Sequence, residues 1–315
     1  MKSRRLNIVP ALLAALLAWA MPVSGCRQSP YPVDRESHNR EIAEWKTTRL
    51  ERLKSETGWL TLCGLVWLKE GENTIGSDSS NAVVFPAGTS PARAGSLVLE
   101  RGVVRLTVLP GVKMLLNDSA VSSVAMQSDE RPDVGPTVIT IGRFTFQVIK
   151  RVDQFGVRIK NKDNPARLKF SGLEYFPVDL KWRVVAKFEP YVPPKILRIP
   201  TMINTVEDNS CPGALAFEID GKSYRIDAVI EAGAEDRLFL MFGDATNGKE
   251  TYGVGRQLYT SLPDSNAAVV IDFNRAYNWP CVFTVYATCP IPPRQNVLPI
   301  RVEAGEKMYA GHPDA

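Results

Sequence analysis

The stretch DFNRAYNWPCVFTVYATCPIPP, residues 272–293, gathers a carboxylate, an arginine, two asparagines, two tyrosines and two cysteines ahead of a run of prolines. A guanidinium suits a carboxylate or phosphate because its planar fork donates two parallel hydrogen bonds. Arg275 therefore reads as an anion contact, with Asp272 orienting it and Asn274, Tyr277 and Asn278 lining the same place. A bland reading uses the same residues. A coil that crosses a domain needs side chains to satisfy buried backbone groups, and Asp, Asn and Arg supply them.

A second polar loop, GDATNGKETYGVGRQLY at 243–259, offers Asp244, Thr246, Glu250, Tyr252 and Arg256 around an Asn247–Gly248 turn. Its Gly253-x-Gly255 lacks the strand–GxGxxG–helix setting of a phosphate loop. Arg256 and Arg275 together would clamp an anion. Alternatively, Asp244 and Thr246 simply bond their own backbone in a hairpin. Glu250 and Asp272 are the candidate catalytic carboxylates. Such a pair works as general acid and base when one is desolvated and both face one cleft, about 5–10 Å apart. Cys281 as a nucleophile has no histidine near it in sequence, since the mature chain carries only His38 and His312. With no CxxC and so few histidines, a zinc site is not expected. No cofactor signature is found either.

Residues 1–25 read as an export signal: Lys2, Arg4 and Arg5, then the apolar run IVPALLAALLAWAMPV, then VSGC. VSGC resembles the lipobox of bacterial lipoproteins, which implies cleavage before Cys26, acylation of that cysteine and anchoring in a membrane. Arg27 after the lipid cysteine is not the aspartate of inner-membrane retention. The expected location is therefore outside the cytoplasm, on the periplasmic face of the outer membrane in a cell with two membranes. Removal of the signal leaves 35 basic residues against 34 acidic ones. That balance gives no footprint for a nucleic acid. Outside the cytoplasm a disulfide is permitted, and Cys281 and Cys289 are spaced so that a bridge between them is sterically open.

These residues need elements to position them. Residues 26–33 read as a tether, and 34–57 as an amphipathic helix with Ile42, Trp45, Leu50 and Leu53 on one side. Asp34 or Ser37 is placed to cap it, and Gly58 to stop it. The mixed Glu and Arg of its polar face favour packing on the domain over lying on a membrane. From Gly58 onward short Val-, Ile-, Leu- and Thr-rich runs alternate with Gly, Pro, Asn and Asp, the pattern of a sandwich or barrel. Arg101–Gly102 and Asp220–Gly221 predict tight hairpin turns. The fold class expected is mainly β, in two lobes, 58–165 and 166–315, the second carrying the candidate site.

NTIGSDSSNAVVFP, a hairpin and LLNDSAV together resemble the forkhead-associated (FHA) domain, a β-sandwich that reads phosphothreonine. Ser77 stands where that family has its reading arginine, and SPARAGSL lacks its histidine, so phosphopeptide reading is not carried over. GWLTLCGLVWLKEGENTIGSD, GKETYGVGRQLY, DFNRAYNWPC, TCPIPPRQN and AGEK resemble the family of domain of unknown function 1684, in the expected order. That family typically has two prolines before the cysteine, whereas Trp279 precedes Pro280 here. The resemblance points to Glu250, Tyr252, Arg256, Asp272, Asn274, Arg275, Tyr277, Asn278 and Cys281 without giving them roles. The function expected is binding of a small polar or anionic ligand between the 243–259 loop and the 272–281 segment. A hydrolase using the paired carboxylates, and a structural envelope protein, are the alternatives.

Overall fold

Strict alternation of apolar and polar residues shapes most of this chain. In VVRLTV, Val104, Leu106 and Val108 are buried while Val103, Arg105 and Thr107 are exposed, as a pleated strand with one core-facing side requires. The computed structural model describes residues 31–311. The expected export signal, the expected lipid attachment at Cys26 and His312 lie outside the described residues. From residue 33 onward the described residues group as one unit.

The first lobe holds eleven strands. They are β1 (Leu62–Trp67), β2 (Gly71–Gly76), β3 (Val83–Val84), β4 (Gly95–Glu100), β5 (Val103–Val108) and β6 (Leu115–Leu116). After them come β7 (Ser119–Ala120), β8 (Ser123–Met126), β9 (Val138–Ile141), β10 (Phe144–Arg151) and β11 (Gln154–Asn161). One sheet has the order β1-β11-β10-β9-β6-β7 and the other β3-β2-β4-β5-β8. Ile75, Leu97, Leu106, Phe144, Phe146 and Val157, drawn from both sheets, pack into one core, which makes this lobe a sandwich. The turn between β4 and β5 is Arg101–Gly102, both with positive φ, joining Glu100 paired with Val103.

The second lobe is a single antiparallel sheet of β12 (Arg183–Pro200), β13 (Val206–Ile219), β14 (Lys222–Ile230), β15 (Arg237–Phe242), β16 (Arg256–Ser261), β17 (Ala268–Asp272) and β18 (Tyr277–Asn278). Its order is β17-β12-β13-β14-β15-β16-β18. The sheet curls until β16 meets β17, where the Thr260 hydroxyl donates to the Val270 carbonyl. Leu215, Phe217, Leu238, Leu240, Phe242, Ile271 and Phe273 fill the inside of that curl. Asp220–Gly221, both at positive φ, close the β13–β14 hairpin with Ile219 paired to Lys222. Because side chains alternate, Phe239 and Met241 of β15 point the other way, into a third core.

Helix α1 (Arg35–Lys54) is capped by Asp34, whose carboxylate accepts from the Ser37 N–H at 2.8 Å. His38, Ile42, Trp45, Arg49 and Leu53 recur every three or four residues and form the face that meets the second lobe. His38 and Ile42 are buried, Trp45 stacks near Tyr277, and Leu53 joins the third core. The face therefore includes a histidine and an arginine that an apolar pattern leaves out. Among the described residues no helix is long and apolar enough to cross a membrane.

Candidate functional site in the cleft between the lobes

The 272–278 segment is mostly bonded to the protein itself. Asp272 Oδ1 caps the turn by accepting from the Asn274 N–H and side-chain amide, while its Oδ2 lies 2.8 Å from His38 Nε2. Asn274 exchanges hydrogen bonds with the backbone of Asp179. Asn278 is fully buried, donating its N–H to Glu306 and its side-chain amide to Lys307 O. Arg275 reaches Glu41 of α1 at 3.1 Å and Asp272 at 3.8 Å. These contacts staple α1 to the lobe. His38, 234 positions from Asp272, supplies an imidazole that sequence distance hid.

Arg256 is a correction to the expected anion clamp. It has no exposed surface, and its guanidinium donates to Asp244 at 2.8 Å, to Val302 O at 2.7 Å and to Ala304 O. Desolvation pulls its pKa down and the Asp244 charge opposes that. An arginine so enclosed holds the C-terminal segment to β16; it does not meet a ligand. Two glycines permit the close approach. Gly255 and Gly305 both have positive φ, and a Cβ would strike Phe242 O at the first and Ala276 O at the second.

The expected carboxylate pair is likewise not assembled. Glu250 pairs with Arg301 at 2.5 Å, and the hydrogen bond from Arg301 holds its pKa below the ordinary value. Asp272 sits with His38 and Arg275 beside a 390 Å³ groove that Glu250 does not line. Cys281 and Cys289 do meet, with the Cys281 N–H 3.2 Å from the Cys289 sulfur, but both are free thiols, so the disulfide is not formed. The hydrogen bond from Cys289 lowers the Cys281 pKa and raises that of Cys289. Among the described residues no three His, Cys, Asp or Glu side chains gather as metal ligands.

A cleft of about 1390 Å³ opens between the lobes instead. Its floor is the outer face of β15, β16 and β18. Phe239 pairs with Tyr259, Met241 with Gln257, and Gln257 with Tyr277. Trp279 continues the floor, its ring edge-on to Phe239 at 5.9 Å. The roof is the β10–β11 hairpin of the sandwich, where Gln147 pairs with Arg158. Alternation explains the roof: Val157 and Ile159 enter the sandwich core, so Arg158 and Lys160 face out of it and into the cleft. One end is closed by Arg49 and Leu53 of α1 and by Trp59. Of the residues expected to bind ligand, only Tyr277 lines this cleft; Arg275 and Asp272 line the smaller groove.

Arg158 sets the chemistry. It is only 5% exposed, yet its Nε and Nη2 atoms are buried with no hydrogen-bond partner. Its guanidinium lies over the Trp59 ring, 5.2 Å from the centroid. Burial and then the neighbouring Arg151 charge pull its pKa down to about 10, so it remains a cation at neutral pH. Arg151 itself is matched by Asp129 at 3.0 Å and donates to Thr288 at 2.9 Å. The indole N–H of Trp279, 2% exposed, is likewise a buried donor without an acceptor. Opposite, Glu231 accepts from the Tyr259 hydroxyl, and burial raises its pKa. Sequence reading passed over Arg158 because FGVRIKN reads as a strand with a solvated polar face. Trp59 and the second lobe, both distant in sequence, close over that face.

Residues 168–307 match the family described as Protein of unknown function (DUF1684). This segment is similar to that family, and the match covers less than half of the chain. The segment carries the cleft floor, Glu231 and Trp279, whereas Arg158 and Lys160 come from the sandwich ahead of it. An uncharacterized protein of Haloarcula marismortui, solved in solution by NMR, is 30% identical with a TM-score of 0.38, over 46% of this chain and 81% of its own. Two FHA domains, one from a study of phosphothreonine-dependent FHA interactions and the other that of FhaA, are each 16% identical with TM-scores of 0.22. Each spans 30% of this chain, and 92% and 97% of its own length respectively. None of the curated proteins matches.

Proposed function

We propose that this protein binds a small anionic ligand in the cleft between the sandwich and the segment that matches DUF1684, with Arg158 as the group that meets the negative charge. The observation that carries the reading is the pair of unpartnered guanidinium nitrogens on a buried cation. A buried donor without an acceptor costs roughly 1–3 kcal/mol, and more when charged, so a protein that keeps one at a cleft wall gains by receiving an acceptor there. The unpartnered indole N–H of Trp279 adds a second donor, and the aromatic floor adds surface for the body of the ligand. The VSGC motif supports placing this site outside the cytoplasm, with the chain anchored in a membrane through acylated Cys26, and Arg27 favours the outer membrane in a cell that has two.

The test is a thermal-shift titration of the full chain with inorganic phosphate, sulfate, acetate, benzoate and phenyl phosphate, on wild type and Arg158→Met. An anion at a hundred times its dissociation constant stabilises by about 2.7 kcal/mol. Stabilisation by at least one of these anions in wild type and its loss in Arg158→Met is the expected result. Stabilisation that survives the substitution places the anion elsewhere and overturns the reading, and so does silence across the series.

A further inference from the structure

Resting on that reading of the cleft, we infer that its anion is a phosphomonoester carried on a flat ring, and not a carboxylate or other singly charged group. The charges around the cleft decide between these. Arg49 is matched by Glu306, Lys150 by Glu130, Arg151 by Asp129 and Arg198 by Asp208. Glu231 accepts from Tyr259 on the floor and, like Glu207 and Arg52, has no ion-pair partner among the described residues. On the roof strand β11 two cations face the cleft without a carboxylate partner, Arg158 and Lys160.

These two stand two residues apart on one face of β11, and Lys160 Nζ finds only the neutral carbonyl of Thr57 at 2.7 Å. Like charges on adjacent same-face positions repel, and a cleft wall of low dielectric strengthens that repulsion. The Arg158 charge indeed helps burial to lower the Lys160 pKa. A carboxylate or sulfate ester brings one negative charge and leaves one cation unmatched. A phosphomonoester brings about −1.5 to −2 at neutral pH and three acceptor oxygens, which suits two cations and an indole N–H.

The remainder of the ligand is set by what lies beside those donors. Trp59 already holds one face of the Arg158 guanidinium, and Trp279, Phe239 and Tyr259 form a continuous aromatic floor with centroids 4.9 and 5.9 Å apart. A flat ring joined to the phosphate packs against this aromatic group, of which Tyr259 is the least buried member.

Phenyl phosphate and phenyl sulfate test this, because they share shape and differ in charge. Isothermal titration of the full chain should give phenyl phosphate an affinity at least about tenfold tighter than phenyl sulfate, a difference of about 1.4 kcal/mol. It should also bind more tightly than inorganic phosphate, and Lys160→Met should bring phenyl phosphate down to the phenyl sulfate level. Equal affinity of the two esters, both lost in Arg158→Met, would overturn the doubly charged ligand while leaving an anion site in the cleft. Equal affinity of inorganic and phenyl phosphate would overturn the ring. Failure of every anion to bind would instead sink the cleft reading itself.

Discussion

Two buried arginines divide this molecule. Arg256 is fully enclosed, and both its terminal nitrogens are taken up by Asp244 and by carbonyls of the C-terminal segment, leaving only Nε without an acceptor. Arg158 is almost as buried, but two of its nitrogens meet no acceptor and a cleft lies before it. Burial of charge alone thus says nothing about role. A buried cation with its partners supplied by the chain is structural, whereas one left without them is held ready for something that is not the chain. The polar, arginine-bearing loops that look most like a site in the sequence belong to the first kind.

The sharpest way to break that contrast is Arg256→Ala. It strands Asp244 in the interior, and a buried pair broken by removal of one partner costs about 3–5 kcal/mol. Denaturant unfolding should show a loss of that order, or no folded protein at all. A variant of near wild-type stability would mean that the 244–256 loop is not structural. His38→Ala comes next. It removes the 2.8 Å contact to Asp272 that fixes the start of α1, and should cost about 1–3 kcal/mol. Limited proteolysis should then cut first within 31–45, and an unchanged cleavage pattern would show that His38 is not the staple.

The smallest effect concerns pH. Burial raises the Glu231 pKa in the folded state, so between the ordinary carboxylate value and that raised value the folded protein binds more protons than the unfolded chain. Stability therefore falls as pH rises through that window, and the contribution is fully present below it. Glu231→Gln keeps an acceptor for Tyr259 and should flatten that slope. Melting curves of the two proteins that run parallel across the acid range would contradict the assignment.

Much of the fold is legible in the sequence. Asp220–Gly221 and Arg101–Gly102 mark turns whose positive φ the structure displays, and alternation in VVRLTV gives the buried side of its strand. The α1 face was legible in part: Ile42, Trp45 and Leu53 announce themselves by spacing, while His38 and Arg49 on the same face do not. The cleft was not legible, for a physical reason. Arg158 sits in a strand whose alternate residues enter the sandwich core, so locally it belongs to a solvated face. What covers it is Trp59, far earlier in the chain, together with the curled sheet of the segment that matches DUF1684, whose cleft-lining residues begin at Arg198. Tyr277 lines the cleft, whereas its neighbours Asp272, Asn274 and Asn278 serve the backbone.

The most direct measurement is the Arg158→Met exchange, followed in two readouts on the same full-length protein. Methionine keeps most of the apolar stem and removes the unmatched charge, and replacing a buried, uncompensated charge by an apolar group is neutral or stabilising. The account predicts that the unliganded variant melts at or above the wild-type temperature while its affinity for phenyl phosphate falls at least about tenfold, the loss of one charge-assisted hydrogen bond of roughly 1.5–3 kcal/mol. A variant that melts well below wild type and still binds the probe with unchanged affinity would make Arg158 a second Arg256, and the cleft no more than a gap between lobes.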